Sequence, residues 1–323
     1  MKKNIIIISI LLTLSMILMI TPLSASSNTV LENNTNENVS QFLECDYVTR
    51  EVTNYTPLVT NNVETTWELF SDNDIALMEA SYNTHATNTT NDPIIMPQDI
   101  IGNNDMFDAP PISAPYSSVA YLSATFDSNG DGSADYIMST TGFLVSKNVL
   151  VTSAQGVVPR DTTTTTLVEL RIYFGLDSDT LSGTSYIHPR RWTWSTAWHD
   201  SSNSWKYDYC VVELWDDVMQ PYYFNCVESS NTSPQQNVYI SGYPSDEQYH
   251  QKACHGQIIS SNYYNCNFNN DMLSGMHGAP IYNSSCIGIA TYRSSTFNMG
   301  NLFAEHIFNL RLCHNKWLIF DEK

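Results

Sequence analysis

From residue 100 onward, short apolar runs alternate with polar, turn-forming clusters. Residues 117–122, 141–145, 149–152, 167–174 and 210–214 are runs of β-branched, aromatic and aliphatic side chains, and 238–240, 256–260, 279–282 and 287–291 continue the series. Gly, Pro, Asn and Asp punctuate them. Runs this short and this evenly spaced predict an all-β barrel or sandwich rather than helices. The last residues change period. Phe303, Ile307, Leu310 and Trp317 fall on one helical stripe, which predicts a C-terminal helix over about 303–318.

The first hundred residues read differently. Lys2 and Lys3 precede an apolar run from Ile5 to Ile20, and Pro22-Leu23-Ser24-Ala25 supplies a helix breaker and small residues. That layout predicts a secretory signal over 1–25, cut near Ala25; the competing reading is an uncleaved anchor, for which the apolar core is short. Residues 26–99 are rich in Asn, Thr and acids, with scattered anchors such as Trp67, Leu69 and Phe70. A stretch so poor in apolar area predicts a mostly flexible segment, either a pro-segment or a solvated extension.

Charge narrows the partners. The chain carries 33 acidic and 14 basic side chains, a formal charge of −19, and removing 1–25 takes away two lysines and no acid, leaving −21. Such a surface repels phosphate backbones and anionic lipids, so neither nucleic acid nor membrane is an expected partner. The seven cysteines (Cys45, Cys210, Cys226, Cys254, Cys266, Cys286 and Cys313) form no CxxC or CxxH spacing, which argues against zinc. Export permits disulfides, but an odd count leaves at least one thiol without an intramolecular partner. Cys254 and Cys266 flank a strand-like segment and could meet across a turn.

Three local signatures then occur in order. The first is Thr141-Gly142-Phe143-Leu144-Val145, continuing through Val149-Leu150-Val151-Thr152-Ser153-Ala154-Gln155-Gly156. The second is Tyr207-Asp208-Tyr209-Cys210-Val211-Val212-Glu213-Leu214, and the third is Asp271-Met272-Leu273-Ser274-Gly275-Met276-His277-Gly278-Ala279-Pro280. They resemble, respectively, the "TGFLI…VLTAAHC", "YDYAVIEL" and "DTxGGxSGSP" segments of trypsin-like serine proteases, in the glutamyl endopeptidase branch. Ile240-Ser241-Gly242-Tyr243-Pro244 and Ile287-Gly288-Ile289 support the match, and Ile100-Ile101-Gly102-Asn103-Asn104 resembles the start of the mature enzymes. The resemblance spans about residues 100–318. It implies two antiparallel β-barrels with an active cleft between them, the first at about 112–205 and the second at about 220–302, within a domain covering 100–323.

The resemblance also locates the departures. Gln155 stands at the catalytic histidine, His277 at the nucleophilic serine, and Asp208 alone retains its triad identity. Serine attack needs an imidazole to take the hydroxyl proton. A carboxamide cannot accept a proton near neutral pH, although its amide could hydrogen-bond Asp208 and keep that carboxylate satisfied. Ser153 and Ser274 are the nearest other hydroxyls. The amides of Gly275 and His277 are implied to form the oxyanion hole. Met272 and Ala290 replace the threonine and histidine that help bind an acidic substrate side chain in the family, and Gly156 replaces its half-cystine. Outside these motifs, Asp127, Asn129, Asp131 and Asp135 place oxygens at alternate positions around Gly130 and Gly132, either the first half of a calcium loop or an acidic hairpin turn. The expectation is a secreted, non-hydrolytic homologue that binds an extracellular protein or peptide in the cleft. The alternatives are an active endopeptidase with a non-standard nucleophile and base, and a protein whose N-terminal segment carries the function.

Overall fold

The computed structural model describes residues 42–55, 100–102, 104–159, 165–200, 204–228, 233–247, 249–292 and 297–303. The expected signal segment and the expected C-terminal helix beyond residue 303 lie outside the described residues. The regular secondary structure described is nearly all strand. The first sheet is built from β1 (Phe42–Asp46), β2 (Val52–Tyr55), β4 (Val119–Asp127), β5 (Tyr136–Ser146), β6 (Val149–Thr152), β7 (Thr166–Phe174), β8 (Pro189–Ser195) and β9 (Cys210–Leu214). Its order is β2-β1-β8-β9-β6-β5-β4-β7, with every pairing antiparallel. It curls until Ile172 of β7 exchanges two backbone hydrogen bonds with Ile187, at 3.0 and 2.9 Å, on the approach to β8.

The second sheet holds β3 (Phe107–Asp108), β10 (Asn237–Gly242), β11 (Lys252–Ser261), β12 (Asn265–Phe268), β13 (Pro280–Tyr282), β14 (Cys286–Tyr292) and β15 (Asn298–Leu302). β10 pairs with both β13 and β11, so six strands close into a barrel and β3 is appended to β11. The two-barrel, all-β expectation holds.

Burial explains why the strands read as continuous apolar runs rather than alternating ones. In β5, Leu144 packs inside the first barrel while Phe143 and Val145 join an aromatic-rich cluster shared with the second sheet. β4, β6 and β9 divide in the same way: Leu122, Leu150 and Val212 point inward, whereas Tyr121, Val151 and Val211 face the other barrel. Both faces are therefore dry. The shared layer includes Phe143 against Phe224 and Phe224 against Tyr282, edge to face at 5.2 and 5.1 Å. Each such ring contributes about 1.5–3 kcal/mol by leaving water. One charge sits in this wall. Glu213 of β9 is buried and ion-paired to Arg191 and, at 3.1 Å, to Arg190.

Two boundaries differ from the sequence reading. β9 inserts between β6 and β8, so the first barrel runs to Leu214 rather than ending near 205. Residues 42–55, expected to be flexible, instead form a hairpin. β1 pairs with β8 from Phe42↔Ser195 to Asp46↔Arg191, and Phe42 and Cys45 are buried. The open edge of β8 satisfies the backbone of β1, which its polar composition alone did not suggest.

Candidate functional site

The candidate residues sit where two turns meet between the barrels. β6 ends in a short 3-10 turn over Ala154–Gly156, and Gln155 lies in its middle. Asp208 precedes β9, which pairs with β6 through Thr152↔Cys210, and this register puts the two residues side by side. The Gln155 backbone N–H donates to Asp208 Oδ1 at 2.8 Å. The Gln155 side chain goes elsewhere. Its Nε2 donates to the carbonyl of Thr291, in β14 of the second barrel, at 2.8 Å. The expected side-chain bond to Asp208 is thus replaced by a main-chain one, and the carboxamide spans the cleft.

His277 lies on the turn that leads into β13. That turn is pinned to the first barrel: Thr141 N–H and Thr140 Oγ1 donate to the His277 carbonyl at 2.9 and 2.6 Å, and Thr141 Oγ1 donates to the Gly275 carbonyl at 2.8 Å. Gly278 has φ +85, and a Cβ there would collide with the Thr141 carbonyl, so no larger residue fits. The carbonyls of Ser274 and Met276 accept from Ser245 and Ala279. In trans peptides the N–H groups of Gly275 and His277 therefore face away from those donors.

Beside Gln155 and Asp208 opens a cavity of about 380 Å³. Thr291, Tyr292 and Met299 form its second-barrel side, and Trp198, Val158 and Tyr136 are among its first-barrel walls. His277 is not among the lining residues. Trp198 is fixed by its Nε1 donating to the Val158 carbonyl at 3.2 Å.

The solved structure of a Glu endopeptidase in complex with MPD superposes with a TM-score of 0.54 over 66% of this chain and 98% of its own, at 18% identity. An inactivated protease paralogue from the scabies mite matches at 0.49, with 11% identity over 62% of this chain and 96% of its own. The Vibrio cholerae protease VesB matches at 0.47, with 13% identity over 65% and 67%. The fold is that of the trypsin-like serine proteases. No protein-family model matches the chain, and no curated protein matches it.

Within this trypsin-like fold, several expected residues fall in unexpected surroundings. Met272 and Ala290 are fully buried and belong to the core of the second barrel, packed with Ile240, Cys254 and Leu302. They fill space instead of lining a substrate pocket, because methionine and alanine at these positions complete an apolar core. Ser153 is fully buried and Ser274 is exposed. Cys254 and Cys266 are unbridged: Cys254 pairs with Ile240, whereas Cys266 pairs with Ser261, seven residues further along β11. All six described cysteines are buried, and burial pushes up the thiols of Cys210 and Cys254, that of Cys45 to about 11 and that of Cys266 to about 12. Such groups stay protonated and poorly nucleophilic.

Asp127, Asn129, Asp131 and Asp135 do come together, in the β4–β5 hairpin. Asp127 accepts the N–H groups of Asn129, Gly130 and Gly132 at 3.0, 2.7 and 2.7 Å, and Asp135 accepts from Ser128 at 2.7 Å. Enclosure tends to raise the Asp127 carboxyl, but these amide donors outweigh it and hold it low. The loop is accounted for by its own hydrogen bonds. Among the described residues, no group of three or more His, Cys, Asp or Glu is placed to hold a metal ion.

Sequence reasoning missed Thr291 and the aromatic cavity. The only local signal for the cavity was the Trp-rich stretch Trp192-Thr193-Trp194-Ser195-Thr196-Ala197-Trp198.

Proposed function

We propose that this protein is an exported, non-hydrolytic member of the trypsin-like fold that binds a protein or peptide in the cleft between its barrels. One observation carries the reading: the group beside Asp208 is a carboxamide whose N–H is committed to the Thr291 carbonyl, so that side chain cannot take a proton from an attacking alcohol as an imidazole would. His277 brings no hydroxyl to the turn where the alcohol belongs. Neither Ser153, sealed in the core, nor Ser274, on the outer side of its turn, supplies a replacement. Loss of one triad member costs on the order of 10⁴–10⁶ in turnover, and here two are gone. The cleft, its cavity and the pinned turn persist, and those features suit an extended chain.

The purified protein should show no covalent adduct with a fluorophosphonate probe and no release of fragments from casein. An adduct on any side chain, abolished by Ser153→Ala or Ser274→Ala, would establish an active endopeptidase instead. The Gln155→His/His277→Ser double variant should stay far below an ordinary protease, because Met272 and Ala290 are packed into the core of the second barrel and offer no polar contact to a substrate side chain.

A further inference from the structure

Tyr136, Trp205 and Tyr292 are 40%, 37% and 54% exposed, and all three line the one cavity beside Asp208. Single exposed aromatics are ordinary; three from separate elements converging on one concavity are not. Tyr136 opens β5, Trp205 lies in the short turn before Asp208, and Tyr292 ends β14. Tyr136 is stacked on Phe126 with ring centres 5.2 Å apart, so its face is held in place. Trp205 already attracts a cation on one face: Lys206 Nζ lies 5.3 Å from its ring centre.

Charge among the described lining residues has one sign. Asp208 is 4% exposed and lines the wall, while none of the described lining residues is Lys, Arg or His. The remaining polar groups there, Gln155, Thr165 and Thr291, are neutral. A carboxylate entering this space would meet another carboxylate and lose its water without compensation. A cation on an apolar stem would gain the carboxylate and the ring faces together, while its methylenes covered apolar wall. The net charge of −19 favours the same approach from a distance.

We propose that the cavity takes a lysine or arginine side chain of a bound extended peptide, the opposite charge preference to that of glutamyl endopeptidases. This rests on the peptide-binding reading above. Four capped pentapeptides that differ only in a central lysine, arginine, norleucine or glutamate test it, with binding followed by tryptophan fluorescence and calorimetry. The lysine and arginine peptides should bind roughly tenfold tighter than the norleucine one, with the glutamate peptide weakest. Asp208→Asn should bring lysine down to the norleucine level. Trp205 is partly exposed and outside the apolar core clusters, so Trp205→Ala keeps the test open should the Asp208 variant fail to fold; it should weaken the lysine peptide about three- to tenfold. Equal binding of all four peptides would overturn the cationic preference and leave the peptide-binding cleft standing. Failure of all four to bind would overturn both.

Discussion

Asp105 and Asp271 show how single side chains set conditions for this fold. Asp271 is fully buried and accepts the N–H groups of Ile101 and Asp105 at 2.8 and 3.1 Å, tying the entry segment to the turn that carries His277. Burial, and then hydrogen bonding to Asp271 with the repulsion between the two carboxyls, pushes the Asp105 carboxyl up to about 8. The folded chain thus keeps a proton that the unfolded chain releases at an ordinary carboxyl value. That contribution is complete below the unfolded value and is lost as pH rises through the folded one. Melting temperature should fall between about pH 4 and about pH 8 for this reason, and Asp105→Asn, with a permanent amide donor, should flatten that slope. Parallel slopes for the two proteins would dismiss the shared proton. The same scale holds the chemistry of the cleft: Gln155 cannot titrate, a fact legible from its identity alone, whereas its reach to Thr291 required the second barrel to be in place.

At the level of elements, the β1–β2 hairpin is the clearest case of tertiary context overriding composition. Its surroundings in sequence are largely polar, and the run Phe42-Leu43-Glu44-Cys45 is too short to mark a strand by itself. β8 decides the matter by presenting an unpaired edge, and Phe42 then enters the layer shared by the two barrels. Phe42→Ala should cost about 3–5 kcal/mol, read as a lower denaturant midpoint with an unchanged slope. A change below about 0.5 kcal/mol would mean that the hairpin does not belong to the folded unit. By contrast, β5, β6 and β9 are visible in the sequence, because strands wet on neither face must be apolar throughout. The β4–β5 hairpin is legible as well, since Asp127 and Gly132 are residues that a tight acidic turn requires.

Across the whole molecule, the barrels are joined at the surface by more than their shared core. His250, in the β10–β11 loop, places Nδ1 2.7 Å from Asp177 and Nε2 3.2 Å from Asp179, both in the β7–β8 loop. Only the imidazolium can donate from both nitrogens, and the bonds to Asp177 and then Asp179 hold the His250 pKa above its ordinary value. The clasp is therefore complete below the unfolded histidine value and opens as pH climbs past the raised one. An NMR titration should place the His250 midpoint above that of a free imidazole, and Asp177→Asn should lower it. A midpoint indifferent to Asp177→Asn would show that the loops are not joined this way.

The amino-acid sequence by itself determined the run of short strands from residue 100 onward, the acidic, glycine-bearing turns, and that Gln155 can take no proton and His277 brings no hydroxyl. These follow from local rules: strand periodicity, turn stereochemistry and the fixed chemistry of each side chain. Only the tertiary structure decided that Met272 and Ala290 fill a core, that β1 joins β8, and that aromatic rings from three elements line one cavity with Asp208. Each of those outcomes depends on which edges and faces meet. Such meetings join residues far apart in the chain, and no local pattern records them.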